Sequence, residues 1–231
     1  MPDQFIPLAE STGLVVPIGE WILQQACADA AKMPSDVRIA VNVSAVQFKQ
    51  GKLFDVILCT LVETGLKPER LELEITESAL LGNRDEHLMT IRQIKNLGIS
   101  MTLDNFGTGY SSMSYLTAFP FDKIKIDKSF TQNAGDRRDC KAVIAAAIVL
   151  ARGLGIATTA EGVETEHQFE YLREAGVDLV QGGLFGLPAP ASQLDLRNAG
   201  WPKPKVAEND DASSRKFHHP IEQQAWNCKA V

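Results

Sequence analysis

The clearest structural unit of this chain is Leu97-Gly98-Ile99-Ser100-Met101-Thr102-Leu103-Asp104. Its glycine follows a segment with helical periodicity, and a glycine in that position is a common helix stop. Residues 99–103 have the length and the largely apolar character of a strand, and an acidic residue follows them directly. A helix, a strand and a polar residue at the strand's end therefore form one unit, which other parts of the sequence repeat.

Five other segments have the same strand character, and helical periodicity fills the stretches between them. Strands are expected at residues 99–104 and also at residues 38–43, 71–75, 123–127, 156–160 and 177–180. Helices are expected at residues 19–32, 54–66, 87–97, 141–154 and 165–175, with further glycine stops at Gly65, Gly155 and Gly176. This alternation predicts βα units in a parallel sheet. Six strands suit an open doubly wound sheet, whereas a complete β/α barrel has eight.

Length and composition indicate one domain followed by a tail. The chain has 231 residues, which suit a single large domain, and the alternating pattern extends over residues 1–190. The pattern fails in residues 191–231, most of which belong to a stretch rich in Pro, Asp, Lys, Ser and Gln. We expect this stretch to be a polar, mostly disordered tail.

Charge and the lack of targeting patterns narrow the class of protein. The formal net charge is -6 without a Lys/Arg run, which argues against a nucleic-acid polymer or an anionic membrane as the main partner. The longest apolar run, residues 142–151, is too short for a membrane span, and the first residues do not resemble a secretory signal. Four scattered cysteines suggest reduced thiols, so we expect a cytoplasmic protein. Neither an HExxH motif nor a Ser/His pairing supports zinc-hydrolase or triad chemistry.

Polar side chains stand at the C-terminal end of every predicted strand. In chain order they are Asn42, Glu74, Asp104 with Asn105, Lys125 with Asp127, Glu161 with Glu164, and Gln181. Any one of them alone would be explained as a helix cap or a solvated loop residue. In a β/α barrel, however, the C-terminal strand ends converge on one mouth where active sites form. The complete set therefore favours the barrel and predicts a site at its mouth.

The residue types in this set indicate metal chemistry. Oxygen donors without His or Cys suit hard cations such as Mg²⁺ or Mn²⁺. Several carboxylates and one lysine fit two-metal hydrolysis of a phosphodiester, in which the metals generate hydroxide and neutralise phosphoryl charge. The alternative is that the carboxylates are solvated, but Glu74 and Asp104 follow apolar strand positions where an uncompensated charge is costly.

Six ordered motifs carry a family resemblance. They are Asn42-Val43-Ser44, Glu74-Ile75-Thr76-Glu77, Asp104-Asn105-Phe106-Gly107-Thr108-Gly109-Tyr110-Ser111-Ser112, Lys125-Ile126-Asp127, Ala160-Glu161-Gly162-Val163-Glu164-Thr165 and Gln181-Gly182. In order and spacing they resemble the signature motifs of EAL domains, bacterial phosphodiesterases that open cyclic di-GMP to linear pGpG. The segment at residues 5–10 also resembles the stretch after the family's name-giving motif. The resemblance implies a TIM-like β/α barrel that uses two Mg²⁺ or Mn²⁺ ions.

The resemblance also implies a role for each motif residue. The first metal would be bound by Asn42, Glu74 and Asp104, and the second by Asp104, Asn105 and Glu161, with Glu161 as the candidate general base. Lys125 would orient the attacking water or a phosphate oxygen, and the substrate surroundings would be shaped by Asp127, Glu164 and Gln181. The regulatory loop would contain Phe106, Gly107, Thr108 and Gly109, steadied by Glu77. An alternative role for Lys125 is a salt bridge with Asp122 or Asp127.

Two departures from the family pattern leave the function open. The Glu-Ala-Leu tripeptide, whose Glu binds metal in the family, is absent, as are the two strands before residue 5, so we expect six strands. Asn105 stands where the family usually has a second Asp. The hypotheses are an active phosphodiesterase, a degenerate domain that binds cyclic di-GMP or a protein partner without cleavage, and a remnant that pairs its open edge with another chain. The family expectation includes a homodimer through Ser111 to Phe119 and an upstream sensory or cyclase domain.

Overall fold

The fold is an open parallel sheet with helices on its outer side. The computed structural model describes residues 2–49, 52–80, 84–109, 116–194 and 225–227. The strands are β1 (Arg38–Val43), β2 (Leu71–Thr76), β3 (Ser100–Phe106), β4 (Lys123–Ile126), β5 (Ala157–Ala160), β6 (Leu179–Val180) and β7 (Ala225–Asn227). The helices are α1 (Pro2–Thr12), α2 (Val15–Ala31), α3 (Ala45–Lys49), α4 (Leu53–Thr64), α5 (Arg84–Asn96), α6 (Lys128–Thr131), α7 (Arg138–Leu154) and α8 (Glu166–Ala175). Short 3₁₀ turns occupy Pro68–Arg70, Glu77–Leu80 and Ala191–Gln193.

The six predicted strands are confirmed, and they lie side by side in chain order. The sheet order is β6-β5-β4-β3-β2-β1-β7, and every pairing in it is parallel. Strand β7 was not predicted; it comes from the polar tail and pairs with residues 38–40 of β1. Residues 195–224 and 228–231 lie outside the described residues, so the disordered tail remains a prediction.

The two faces of the sheet differ in chemistry because side chains alternate along a strand. One face carries Leu73, Met101, Leu103 and Ile124, which are fully buried in the hydrophobic core together with apolar residues of the helices. The opposite face carries charged and hydroxyl side chains, among them Lys123 on β4. This lysine reaches Glu72 on β2, across the intervening β3, with 2.8 Å between Nζ and Oε2. The six strands form a curled half-barrel, and because the helices pack on the apolar face, the polar face lines its inside.

Glycines end the helices as the sequence predicts. Gly65, Gly98, Gly155 and Gly176 all have a positive φ, between 67° and 96°. Of the helices, α2, α4, α5, α7 and α8 match predicted segments to within a few residues at their ends. The sequence pattern missed α1, which contains Pro7, a residue that normally disfavours a helix interior.

The described residues also bear on membrane insertion and thiol chemistry. Among them no single helix has the length and hydropathy of a membrane span, although α1 and α2 together, bent by 117°, pass a test of length and composition. Cys27, Cys59 and Cys140 are free thiols, and burial raises the pKa of Cys27 to about 12.

Two neighbouring glycines provide a matched test of the helix stop after α7. Gly155 has a φ of +70°, whereas Gly153 lies inside the helix, and a Cβ on either would meet no atom within 4 Å. We predict that Gly155→Ala lowers the free energy of unfolding by about 1 kcal/mol because alanine resists the left-handed conformation. Gly153→Ala should raise it by up to about 1 kcal/mol because alanine favours helix. Urea denaturation of both variants checks this, and equal effects would contradict the proposed stop.

Candidate functional site

The polar residues predicted at the strand ends lie at the C-terminal edge of the half-barrel. Asn42 and Glu74 are register partners on β1 and β2. Asp104 is the register partner of Thr76, which lies two residues beyond Glu74 on β2. Glu161 follows β5 directly, as Gln181 follows β6. Parallel strands thus bring residues separated by up to 139 positions to one edge.

Lys125 joins two carboxylates at this edge. Its Nζ lies 2.8 and 2.9 Å from the two oxygens of Glu74 and 2.7 Å from Oε1 of Glu161. The lysine is 1% exposed, so the ion pairs are shielded from water. The alternative partners expected from the sequence, Asp122 and Asp127, are wrong. They lie three and two residues from Lys125 in sequence, but their carboxylates contact other groups.

Both aspartates have other structural roles. Asp122 pairs with Lys95 and accepts a hydrogen bond from the Met101 backbone N–H at 2.8 Å. Asp127 is the N-cap of the short helix α6 and accepts from the Ser129 N–H at 2.9 Å. Because Asp127 is occupied as a cap, its predicted role near the substrate gains no support from its contacts.

Burial and neighbouring charges shift the pKa values of Glu74 and Lys125. Burial raises the pKa of Glu74 to about 7, although Lys125 lowers it, and nearby Asp104 adds to the rise. For Lys125, burial alone would lower the pKa, but the charges of Glu74, Glu161 and Asp104 raise it above its ordinary value. The ammonium therefore stays charged while three carboxylates surround it. A group with three acids and one base attracts a further cation.

A β-bulge interrupts β3 at Asp104 and Asn105, at the C-terminal edge of the half-barrel. Between Leu103 and Phe106 the register with β4 shifts, so β3 carries one extra residue there. Asn105 has a φ of 57°, the left-handed conformation that asparagine and aspartate tolerate better than most residues. Its N–H donates to Oδ1 of Asp104 at 2.8 Å. Bulges of this kind commonly turn side chains toward active sites.

The oxygen donors at the strand ends are of the type that binds a hard divalent cation, but the distances between these side chains are those of an ion-pair network around Lys125. Among the described residues, no three His, Cys, Asp or Glu side chains are spaced as ligands of one metal. The Lys125 ammonium lies between Glu74 and Glu161, the place where shared ligands would converge. Oxygen donors from Asn42, Glu74, Asp104 and Glu161 nevertheless form the kind of set that Mg²⁺ or Mn²⁺ prefers.

A cavity of about 400 Å³ adjoins the charged group. Its lining includes Glu161, Glu164 and Gln181, three of the predicted site residues, together with Lys128 and Arg38. The size falls within the range of small-molecule sites. Glu164 accepts a hydrogen bond from Nε2 of Gln132 at 3.2 Å, which links the loop after β5 to the end of α6. The cavity therefore brings predicted substrate residues and basic side chains together.

The predicted regulatory loop is described as far as Gly109. Glu77 is buried directly against Gly109, where any Cβ would collide with its carboxylate. Gly107 has a φ of +96° and lies against Phe130. Phe106 is buried, and the Thr108 hydroxyl donates to the Asn105 carbonyl at 2.8 Å. The contact between Glu77 and the loop agrees with the steadying role that the sequence resemblance implies, and residues 110–115 lie outside the described residues.

Sequence reasoning missed a second layer of polar residues beneath the site. Glu72 and Lys123 form a buried ion pair, and the Thr102 hydroxyl donates to Glu72 at 2.6 Å. The Thr159 hydroxyl is buried at the level of Lys125 and has no hydrogen-bond partner within the described part of the chain. The signal was present in the alternating acids of residues 72–74 and the alternating lysines of residues 123–125. Each pair two residues apart must face the same side of the sheet.

Comparison with known proteins identifies what this arrangement resembles. A family model for the EAL domain matches residues 1–188. The chain is 42% identical over 197 residues to the bifunctional diguanylate cyclase/cyclic di-GMP phosphodiesterase MucR of Pseudomonas aeruginosa, covering 84% of this chain and 29% of MucR. The curated relatives that it matches are about four times as long as the matched region.

Solved structures agree with the sequence matches. The structure of the MucR phosphodiesterase in complex with c-di-GMP has a TM-score of 0.80 at 42% identity, covering 84% of this chain and 80% of that chain. A manganese and c-di-GMP complex of BlrP1 from Klebsiella pneumoniae has a TM-score of 0.66 at 29% identity, covering 74% of this chain and 44% of that chain. The half-barrel therefore has close structural counterparts.

Removing Lys125 tests its central place in the charged group. We predict that Lys125→Met lowers the free energy of unfolding by about 3–5 kcal/mol, because it leaves buried carboxylates without their cation. Adding Glu74→Gln to that variant should restore part of the loss by removing one of those charges. Lys95→Met, which breaks a partly exposed pair, should cost less than about 1 kcal/mol. If urea denaturation gives equal losses for Lys125→Met and Lys95→Met, the account of the buried group is wrong.

Proposed function

This chain belongs to the EAL domain family, and from that premise we propose that its strand-end site hydrolyses cyclic di-GMP to linear pGpG. The observation that carries the proposal is the buried Glu74–Lys125–Glu161 group at the converging strand ends. The family includes cyclic di-GMP phosphodiesterases, and the structurally similar MucR phosphodiesterase is seen in complex with c-di-GMP. Phosphodiester hydrolysis is the reaction that such an acidic, lysine-containing site suits.

Divalent metal ions complete the proposed site. Asn42, Glu74 and Asp104 would hold one Mg²⁺ or Mn²⁺ ion, and Asp104, Asn105 and Glu161 would hold a second. Such ions, when bound, activate water and neutralise the charge of phosphoryl oxygens. The negative charge that surrounds Lys125 supports this assignment, as does the manganese in the similar BlrP1 complex.

The chain's own side chains position the reactants. Glu161 is the proposed general base, because its carboxylate faces both the cavity and the ammonium of Lys125. Lys125 restricts the rotation of the Glu161 carboxylate through the 2.7 Å contact and offers positive charge to a phosphate oxygen. Glu164 and Gln181 line the cavity and would contact the guanine or ribose groups of the dinucleotide. Asp127 would support the same wall through the start of α6.

The setting of the domain is also a proposal. We place the reaction in the cytoplasm, where the four cysteines would remain reduced. A homodimer would form through Ser111 to Phe119, next to the loop that Glu77 contacts. The matched relatives are longer than this chain. One is named as a signalling protein and another as a bifunctional diguanylate cyclase and cyclic di-GMP phosphodiesterase, which supports a sensory or cyclase domain in the same polypeptide.

Product analysis tests the proposed hydrolysis. Purified chain incubated with cyclic di-GMP and Mn²⁺ should release pGpG, and Glu161→Gln should lower turnover by about 100-fold or more because it removes the general base. Glu174→Gln, which changes an exposed glutamate on α8, serves as the matched control and should leave turnover unchanged. Tight binding of cyclic di-GMP without any pGpG from the wild-type chain would contradict the proposal.

A second function, binding without cleavage, is favoured by Asn105. Its neutral amide is a weaker metal ligand than the aspartate usual in the family, which would weaken the second metal. In a chain that acts as a cyclic di-GMP receptor, the cavity next to Lys128 and Gln181 would bind the dinucleotide unchanged. The left-handed backbone at residue 105 also suits aspartate, so a reverting substitution need not strain the bulge.

Restoring the acid decides between the two functions. If the second metal limits catalysis, Asn105→Asp should raise pGpG formation by about 10–100-fold at low Mn²⁺. The affinity for cyclic di-GMP, measured by calorimetry, should change much less. No product from either the wild-type chain or the Asn105→Asp variant, combined with unchanged binding, would favour the receptor and overturn the phosphodiesterase.

A further inference from the structure

Two ion pairs of the same design lie one above the other inside the half-barrel. The lower pair joins Lys123 of β4 to Glu72 of β2, and the upper pair joins Lys125 of β4 to Glu74 of β2. In both pairs the lysine crosses over β3, which separates β2 from β4 in the sheet. The pairs therefore connect two strands that share no backbone hydrogen bonds.

The residue of β3 beneath each lysine gives the two layers different charge. In the lower layer it is Thr102, whose hydroxyl donates to Oε1 of Glu72 at 2.6 Å, while Lys123 lies 2.8 Å from Oε2. Each oxygen of that glutamate thus has its own partner, and the layer is formally neutral. In the upper layer the corresponding residue is Asp104, so acids outnumber the base. The charges of the lower layer balance one another, whereas the charges of the upper layer do not.

The lower ion pair constrains the backbone positions on β2 and β4 from which the side chains of the upper pair extend. Thr102 is the register partner of Glu74 on one side and of Lys123 on the other, so it touches both layers through the backbone. On β4, Lys123 and Lys125 are separated by one residue, Ile124, which is fully buried in the core. Fixing Lys123 to Glu72 therefore fixes the distance across β3 that Lys125 must span.

Energetics argue against a purely stabilising role for the lower pair. The side chain of Glu72 is 2% exposed and that of Lys123 is 11% exposed, so both charges have lost most of their hydration. Replacing a buried ion pair by apolar residues of similar volume is often neutral or stabilising. A pair of this kind contributes geometry that an apolar pair does not, since it links two atoms at a defined distance and direction.

We propose that Glu72 and Lys123, with Thr102, are positioning residues that hold β2 and β4 at the spacing at which Lys125 bridges Glu74 and Glu161. None of the three touches the cavity, so they act through Lys125 and Glu74. The inference rests on the proposed function for its ligand-binding consequence only. The position of the Lys125 ammonium is a structural consequence that holds whatever the site binds.

An apolar replacement of the layer separates positioning from stability. In the triple variant Glu72→Met, Thr102→Val, Lys123→Met, the urea midpoint should stay the same or rise. Its affinity for cyclic di-GMP, measured by calorimetry with Ca²⁺, should fall by about 10–100-fold. Losses of this size are typical when a residue that orients the ligand-binding side chains is removed. With Mn²⁺, kcat should fall more than KM rises. Lys95→Met, which breaks an ion pair outside the barrel, is the control and should leave the affinity, kcat and KM unchanged.

A spectroscopic readout tests the inference without any ligand. In protein labelled with ¹⁵N-lysine, the Nζ resonance of Lys125, assigned with Lys125→Arg, should shift in the triple variant and stay in place in Lys95→Met. Should the triple variant fail to fold, Thr102→Val alone, which removes only the hydroxyl bonded to Glu72, should give a smaller shift in the same direction.

The possible results of these experiments distinguish the positioning role from the proposed function. An unchanged Nζ resonance together with unchanged cyclic di-GMP affinity would overturn the positioning role. A wild-type chain that fails to bind cyclic di-GMP would overturn the proposed function, while the Nζ comparison would still decide the positioning role. A shifted resonance with a retained urea midpoint supports positioning in either case.

Discussion

The ion pairs of Lys125 are the interaction on which the rest of the site depends. A charge buried in a protein interior is costly unless an opposite charge or hydrogen bonds compensate it. Lys125 meets this constraint by contacting both Glu74 and Glu161, which come from β2 and from the loop after β5. It thereby fixes the relative positions of three chain segments. The excess of carboxylates that remains is the property that makes the site attractive to cations.

The order of the strands makes these contacts possible. Only β3 separates β2 from β4, so these strands lie about 10 Å apart, a distance that a lysine and a glutamate side chain can span together. Apolar side chains on the outer face pack against the helices, and polar side chains on the inner face then have to satisfy one another. The neutral layer of Glu72, Thr102 and Lys123 does so completely, whereas the layer above it keeps unbalanced charge. The unbalanced charge is therefore confined to the C-terminal edge of the half-barrel.

Much of this architecture is visible in the sequence because it depends on local patterns. Alternating strands and helices, glycine stops such as Gly155, and polar residues at strand ends such as Glu74 all follow from short-range rules. The partners of Lys125 could not be predicted, because they come from distant chain segments, β2 and the loop after β5, that only the folded sheet brings within reach. The bulge at Asn105 and the pairing of β7 with β1 also depend on distant chain segments. Sequence reasoning placed the site residues at one edge, but the aspartates that it considered as alternative partners of Lys125 contact other groups.

We expect the carboxylates around Lys125 to bind divalent metal next to a cyclic dinucleotide. Anomalous diffraction from crystals of the chain grown with Mn²⁺ and cyclic di-GMP tests this most directly. Manganese peaks are expected at coordination distance from oxygens of Asp104 and Glu74, with the dinucleotide in the cavity beside Glu161 and Gln181. Dinucleotide density in that cavity without a manganese peak, or a peak elsewhere, would contradict it.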